Sequence, residues 1–186
     1  WWLEEALRAT RAEAAWPGWG FVAELPEFAE LCERLGVTYI GASPAAMRAL
    51  GDKIASKRLA ESLGLPVVPW AGAPAASEAE AARQAAELGF PVMVKATGGI
   101  GGRGVRDAET AGTLPSALKG ARAEAWKWFG LATVFLERRL DGARHVDVQV
   151  LSDAWGGVWA LPAREASMQR RHQKLVEESP VPGLPA

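Results

Sequence analysis

A chain of 186 residues is long enough for one domain with a sizeable core or for two smaller units. Apolar residues make up 49% of it and the formal net charge is −1, so bulk charge points to neither nucleic acid nor a membrane surface, and any anion site must be built locally. No apolar run approaches the roughly 20 residues that cross a bilayer, and the opening WWLEEALRATRAEA lacks the basic start and apolar centre of a secretory signal. The single cysteine, Cys32, excludes an internal disulfide; within FAELCERLG it reads as a small core residue and fits a reducing cytoplasm.

In chain order, residues 3 to 14 read as a helix, WPGWG as a turn, 26 to 35 as a helix stopped by Gly36, and VTYIG as a short strand. Ser43 is placed to cap a helix with Pro44 at its first position, and Asp52 opens another that Gly64 ends. The Ala/Pro-rich stretch after VVPW is the best linker candidate, and Ser77 with Glu80 forms a capping box for a helix running to Leu88. FPVMVKA then reads as a strand, 115 to 129 as a helix and TVFLERRL as a strand. From Arg144, RHVDVQVLSDAWGGVWAL reads as a hairpin turning at Asp153 to Gly157, with further strands in EASMQ and KLVEES. Alternating helices and strands argue for an α/β or α+β fold. The first residue is Trp, and PVPGLPA follows a strand-like segment with no closing element, so the sequence reads as a piece cut at both ends.

Three stretches carry candidate chemistry. In FPVMVK, strand alternation puts Val92 and Val94 on one side and Met93 and Lys95 on the other, so Lys95 leaves the sheet where Gly98, Gly99, Gly101, Gly102 and Gly104 begin. Bare amides beside an ammonium suit a phosphate, although the stretch matches no standard phosphate-loop spacing and also fits a flexible surface hairpin. In HVDVQV, Val146, Val148 and Val150 are expected on a core face, with His145, Asp147 and Gln149 lined up opposite, either as a polar site or as a solvated sheet face. QRRHQK gathers Arg170, Arg171, His172 and Lys174, which fits a solvated loop, an RNA-contacting patch, or a small anion held between His172 and Lys174. Of the nine tryptophans most are expected as core or interface anchors, with Trp155 and Trp159 exposed on a hairpin.

WPGWGFVAELPEFAELCERLGVTYIG, MRALGDKIASKRLAESLGLPVVPW, FPVMVKATGGIGGRGVR, ARHVDVQVLSD and SMQRRHQKLVEESP, in that order and spacing, resemble the biotin carboxylase component of biotin-dependent carboxylases, an ATP-grasp family. The resemblance covers essentially the whole chain; RHVDVQV followed by SMQRRHQKLVEE carries most of its specificity. It implies an ATP-grasp fold with the end of a Rossmann-like domain at 1–50, a helical connector at 51–66, a glycine-bearing lid at 67–139 and the start of the large ATP-binding part at 140–186. The implied reaction phosphorylates bicarbonate with ATP and passes the carboxyl group to biotin. Implied partners are a biotin carboxyl carrier protein, a carboxyltransferase and a second copy of the chain.

Carried over by position, the resemblance gives ATP-binding roles to Lys53, Lys95, Gly101, Gly102, Glu137, Leu140, His145 and His172, and a bicarbonate-binding role to Lys174, which with His172 stands nearest the chemistry. It places the ligands of Mg2+ beyond Ala186, so the chain alone is expected to be inactive. Ile100 interrupts the family's glycine run, Asp147 replaces a glutamate, REAS stands for RDCS, and Trp16 and Trp19 replace a His and a Tyr. WPGWG, GDKIASK and VPW are closer to acetyl-CoA and long-chain acyl-CoA carboxylases than to pyruvate carboxylases. Another ATP-grasp ligase such as carbamoyl phosphate synthetase, a basic RNA-binding module, and a degenerate structural remnant are the alternative readings.

Overall fold

The structure, a computed structural model, describes residues 2–98, 102–170 and 173–184. It divides into two compact units, Trp1–Val67 and Val68–Ala186.

The first unit opens with α1 (Trp2–Thr10), shorter than the helix read from the sequence. Thr10 Oγ1 donates back to the Ala6 carbonyl at 2.8 Å, Arg11 turns left-handed at φ 51°, and the chain straightens into β1 (Ala14–Ala15). After α2 (Pro26–Leu35), β2 (Thr38–Tyr39) runs parallel to β1. The amides of Thr38 and Ile40 donate to Glu13 and Ala15 at 2.9 Å, and these strand bonds override the helical pattern of residues 11 to 14. Phe28, Leu31, Cys32 and Val37 form the core of this β-α-β unit, with Tyr39 edge-on to Phe28 at 5.9 Å. Cys32 is buried, and burial pushes its thiol pKa up. Two capped helices follow: Ser43 Oγ accepts the Ala46 amide at the start of α3 (Pro44–Gly51), and Asp52 Oδ1 accepts the Ala55 amide at 2.8 Å at the start of α4 (Lys53–Ser62).

In the second unit, Ser77 Oγ caps α5 (Glu78–Leu88) by accepting the Glu80 amide at 3.1 Å. The Glu80 carboxylate does not complete the reciprocal half of the capping box, because it goes to Arg83 and Gln84 instead. A three-stranded antiparallel sheet follows in the order β4 (Val105–Ala108), β3 (Val92–Ala96), β5 (Val134–Arg138). Val92, Val94, Val134 and Leu136 pack against alanines of α5 and against Leu114, Leu118 and Ala121 of α6 (Leu114–Phe129). Alanines at the helix contacts allow close approach, and each buried Val or Leu side chain there contributes about 1.5–3 kcal/mol relative to exposure.

The Ala/Pro-rich stretch is not a loose linker. Arg138 N donates to Pro69 O at 2.8 Å, Ala71 N to Leu136 O at 3.0 Å and Ala75 N to Val134 O at 2.9 Å, so residues 69 to 75 strap the outer edge of β5. Arg122 clamps the Ala75 carbonyl from α6 at 2.7 Å.

After Leu140 the strands are short pairs: β6 (Val146–Asp147) with β9 (Arg164–Glu165), β7 (Val150–Ser152) with β8 (Val158–Ala160), and β10 (Gln169–Arg170) with β11 (Gln173–Lys174). The hairpin at Asp153 forms as read, its carboxylate accepting the amides of Trp155 and Gly157 at 2.8 Å. HVDVQV is not one half-buried strand, however. It breaks between β6 and β7, and Val148 and Val150 are about half exposed because no layer among the described residues packs on them. Within QRRHQK, β10 and β11 pair antiparallel with each other. Nor are the described tryptophans core residues: Trp2, Trp16, Trp19, Trp126 and Trp128 are exposed, Trp155 and Trp159 are exposed as expected, and Trp70 packs edge-on against Phe135 at 6.0 Å, while Trp1 lies outside the described residues.

Gly104 is the glycine whose lack of a side chain the fold uses most visibly: at φ +72°, a Cβ there would stand 2.7 Å from Ala96 Cβ. Gly104→Ala is expected to destabilise the chain by about 2–4 kcal/mol, left-handed strain plus a clash with β3, whereas Gly130→Ala at φ +68° in open space costs only about 1 kcal/mol. Urea midpoints for the two variants check the difference; equal losses would contradict it.

Candidate functional site

The register of the central sheet sets up the first group of functional candidates. Pairing of Met93 with Glu137 and of Lys95 with Phe135 places Lys95 and Glu137 on the face opposite the valine core. There the Lys95 ammonium forms an ion pair with the Glu137 carboxylate, the two side chains being 25% and 5% exposed. A cation held this way by a mostly buried carboxylate is fixed in position without being sealed from an incoming anion. Lys95 emerges next to the turn that returns to β4, where Gly102 at φ 75° and Gly104 lie. Gly101, with Gly99 and Ile100, lies outside the described residues. Leu140, just past β5, is half exposed, and the backbone before it is fixed by Arg139 N donating to Pro91 O at 3.1 Å.

A second group surrounds Asp147. Its carboxylate takes the Lys174 ammonium on one oxygen and Arg164 Nε at 2.8 Å on the other; Glu177 closes the ring, 3.0 Å from Arg164 Nη1 and 3.8 Å from Lys174 Nζ. Hydrogen bonding from Lys174 first, and from Arg164 after it, holds the Asp147 carboxyl below the usual aspartate range. The cross-strand pairing of Asp147 with Arg164 and the β10–β11 fold-back bring these residues together from three separate segments.

His145 stands beside this group with a defined proton arrangement. Its amide donates to Ser167 Oγ at 2.7 Å and its carbonyl accepts from Ala166 N at 2.7 Å. Gln169 Nε2 donates to Ala166 O at 2.8 Å, which orients the amide and leaves its second N–H for His145 Nδ1 at 2.6 Å. Nδ1 therefore accepts, and a neutral imidazole carries its proton on Nε2 as an outward donor. Nearby, Ser167 and then Arg144 hold the Glu165 carboxyl below the usual glutamate range.

Of the candidates read from the sequence, the structure joins Lys95 to Glu137 and ties Lys174 to Asp147. Lys53 lies in the first unit, as the opening residue of α4 behind its Asp52 cap. His172 lies outside the described residues. Sequence reading missed Arg164 and Glu177 as members of this group: the β6–β9 pairing brings Arg164 to Asp147, and Glu177, three residues past Lys174, approaches both cations. Among the described residues no group of three or more His, Cys, Asp or Glu side chains is placed to hold a metal ion. No helix among the described residues is long and apolar enough to cross a membrane.

Residues 52–186 match the family described as carbamoyl-phosphate synthase L chain, ATP binding domain, and residues 3–47 match the biotin carboxylase N-terminal domain. The chain belongs to the biotin carboxylase family, a family of ATP-grasp ligases. It is 44% identical over 180 residues to the biotin carboxylase of Pseudomonas aeruginosa, covering 96% of this chain and 40% of that protein. One of the pyruvate carboxylase subunits of Methanothermobacter thermautotrophicus is 43% identical over 180 residues, 97% of this chain and 36% of that one. Among solved structures, the biotin carboxylase domain dimer of the Hydrogenobacter thermophilus 2-oxoglutarate carboxylase, in complex with MgADP, ADP and bicarbonate, superposes with a TM-score of 0.94 at 39% identity over 98% of this chain and 40% of that one. This biotin carboxylase family member thus spans about 40% of the length of the Pseudomonas protein, and its fold is that of the ATP-grasp structures.

The Asp147 group makes a direct prediction. In carboxyl-detected NMR titration Asp147 should titrate below the ordinary aspartate value of 3.8, and Lys174→Met should move it upward. Because the folded-state value is depressed, the group's contribution to stability is present above pH 3.8 and is lost as pH falls through the lower folded value. An Asp147 that titrates at or above 3.8 contradicts the pairing.

Proposed function

We propose that this chain provides nucleotide and bicarbonate contacts for an ATP-dependent carboxylation of biotin carried on a partner protein. The observation that carries this reading is the Lys95–Glu137 pair, set by strand register on one face of the sheet beside a glycine turn. Phosphoryl transfer depends on positioning and charge stabilisation more than on covalent help from the protein, so a fixed ammonium with neighbouring bare amides is the kind of part it needs.

In this reading Lys53 and Lys95 hold the phosphates, Gly101 and Gly102 lie over them, and Glu137 and Leu140 form the adenine hinge. His145 and His172 complete the nucleotide site, and Lys174 holds bicarbonate. A bicarbonate oxygen attacks the terminal phosphorus of ATP, the bond to ADP breaks, and carboxyphosphate forms; its carboxyl group then passes to the ureido nitrogen of biotin, releasing phosphate. Lys174 would exchange its Asp147 partner for bicarbonate, a swap between two anions that leaves the ammonium neutralised throughout. Mg2+ accompanies the nucleotide.

The reading extends to parts: the end of a Rossmann-like domain at 1–50, a connector at 51–66, a lid at 67–139 and the start of the large ATP-binding part at 140–186. Its partners are a biotin carboxyl carrier, a carboxyltransferase and a second copy, in the cytoplasm, where a lone buried cysteine stays reduced. GDKIASK and VPW support an acetyl- or acyl-CoA carboxylase as the complex served, while a pyruvate carboxylase subunit is also 43% identical. Carbamoyl phosphate synthetase shares the domain matched over 52–186; the match over 3–47 favours biotin carboxylation.

Calorimetry with a non-hydrolysable ATP analogue tests the reading. The chain should bind it, Lys95→Ala should weaken binding by about tenfold or more, and Lys174→Ala should leave nucleotide affinity within about threefold. The chain alone should show no bicarbonate-dependent ATP hydrolysis. Equal nucleotide affinity in a folded Lys95→Ala variant, checked by circular dichroism, contradicts the assignment.

A further inference from the structure

Two successive residues on the return limb of the glycine turn are gripped by the same face of α6. Glu124 Oε2 accepts the Gly104 amide at 2.9 Å, and one turn further along the helix Trp128 stacks under the Arg103 guanidinium at 3.7 Å. Gly104 itself is buried, and a Cβ built on it would lie 3.7 Å from Ala125 Cβ and 3.8 Å from the Ala121 carbonyl, so the limb rests directly on the helix. The left-handed backbone at Gly104 divides its two polar groups: the carbonyl accepts from Ala96 N at 2.9 Å, extending the β3–β4 ladder, while the amide faces α6 and has Glu124 as its partner. The same Glu124 oxygen also pairs with Arg106 Nη1 at 2.8 Å, one residue into β4.

From these contacts we propose that Glu124 is a positioning residue for the nucleotide site, holding the limb of β4 that pairs beside Lys95 in register against α6. Val105, the residue after Gly104, is the cross-strand partner of Lys95, so an anchor at Gly104 fixes the backbone next to the ammonium without touching a ligand. The Gly104 amide, followed by Arg106, keeps the Glu124 carboxyl below the usual glutamate range, which means that it is ionised and a strong acceptor at neutral pH. This inference deepens the nucleotide-binding reading given above and rests on it.

Three forms of the chain separate the two ideas: the unaltered chain, Glu124→Ala and Glu124→Gln. Amide exchange at Gly104 and calorimetric affinity for a non-hydrolysable ATP analogue are the readouts. Glu124→Ala should speed exchange at Gly104 and weaken analogue binding about tenfold, whereas Glu124→Gln keeps an acceptor oxygen for the amide and should bind within about threefold of the unaltered chain. Unchanged exchange at Gly104 in Glu124→Ala overturns the anchor. Faster exchange with affinity unchanged within about twofold overturns the positioning role, since a merely structural contact would behave that way. Failure of the unaltered chain to bind the analogue counts instead against the nucleotide-binding reading, and the Gly104 exchange rates still decide the anchor.

Discussion

Strand alternation in a sheet sealed on one side by helices controls where the charges of the second unit can stand. Val92, Val94, Val134 and Leu136 are driven against α5 and α6, and with a period of two no freedom remains for Met93, Lys95, Phe135 and Glu137, which must take the other face. A register slip of one residue would bury an ammonium among valines and expose the core, so the hydrophobic term enforces the position of Lys95 more strongly than any contact Lys95 itself makes. The strap of residues 69 to 75 and the Arg122 clamp on Ala75 hold the outer edge of β5 against the same helices.

Charge in this chain is arranged by pairing. Lys95 with Glu137, and Lys174 and Arg164 with Asp147, place each cation in a geometry chosen before any anion arrives, and a net charge of −1 supplies no general attraction that could do the same. Such preset cations suit a ligand whose charge is concentrated, because the anion that arrives displaces a carboxylate instead of water. By contrast, ion pairs such as Arg83 with Glu80 and Glu87 lie on an exposed helix face and contribute little.

Much of this was legible in the residues. The helix caps at Ser43, Asp52 and Ser77, the alternation of FPVMVK and the turn at Asp153 follow from local chemistry that the rest of the fold does not override. The failures share a cause: they depend on partners distant in sequence. The helix pattern past Thr10 lost to parallel strand bonds with residues 38 to 40, the Ala/Pro-rich stretch found the edge of β5, and the valines of HVDVQV have no packed layer over them among the described residues. In the same way, Lys174 could be singled out from its motif, but its link to Asp147, which Arg164 shares, exists only once β6, β9 and β11 are assembled. The ATP-grasp fold and the family were carried by motif order over the whole length, and the comparisons bear both out.

We propose that strand register presents Lys95 to a bound phosphate. A crystal structure of the chain with a non-hydrolysable ATP analogue tests it most directly. A phosphate oxygen should lie within about 2.7–2.9 Å of Lys95 Nζ, with the β3–β5 register unchanged. A bound analogue whose phosphates contact other cations while Lys95 remains on Glu137 alone would contradict it.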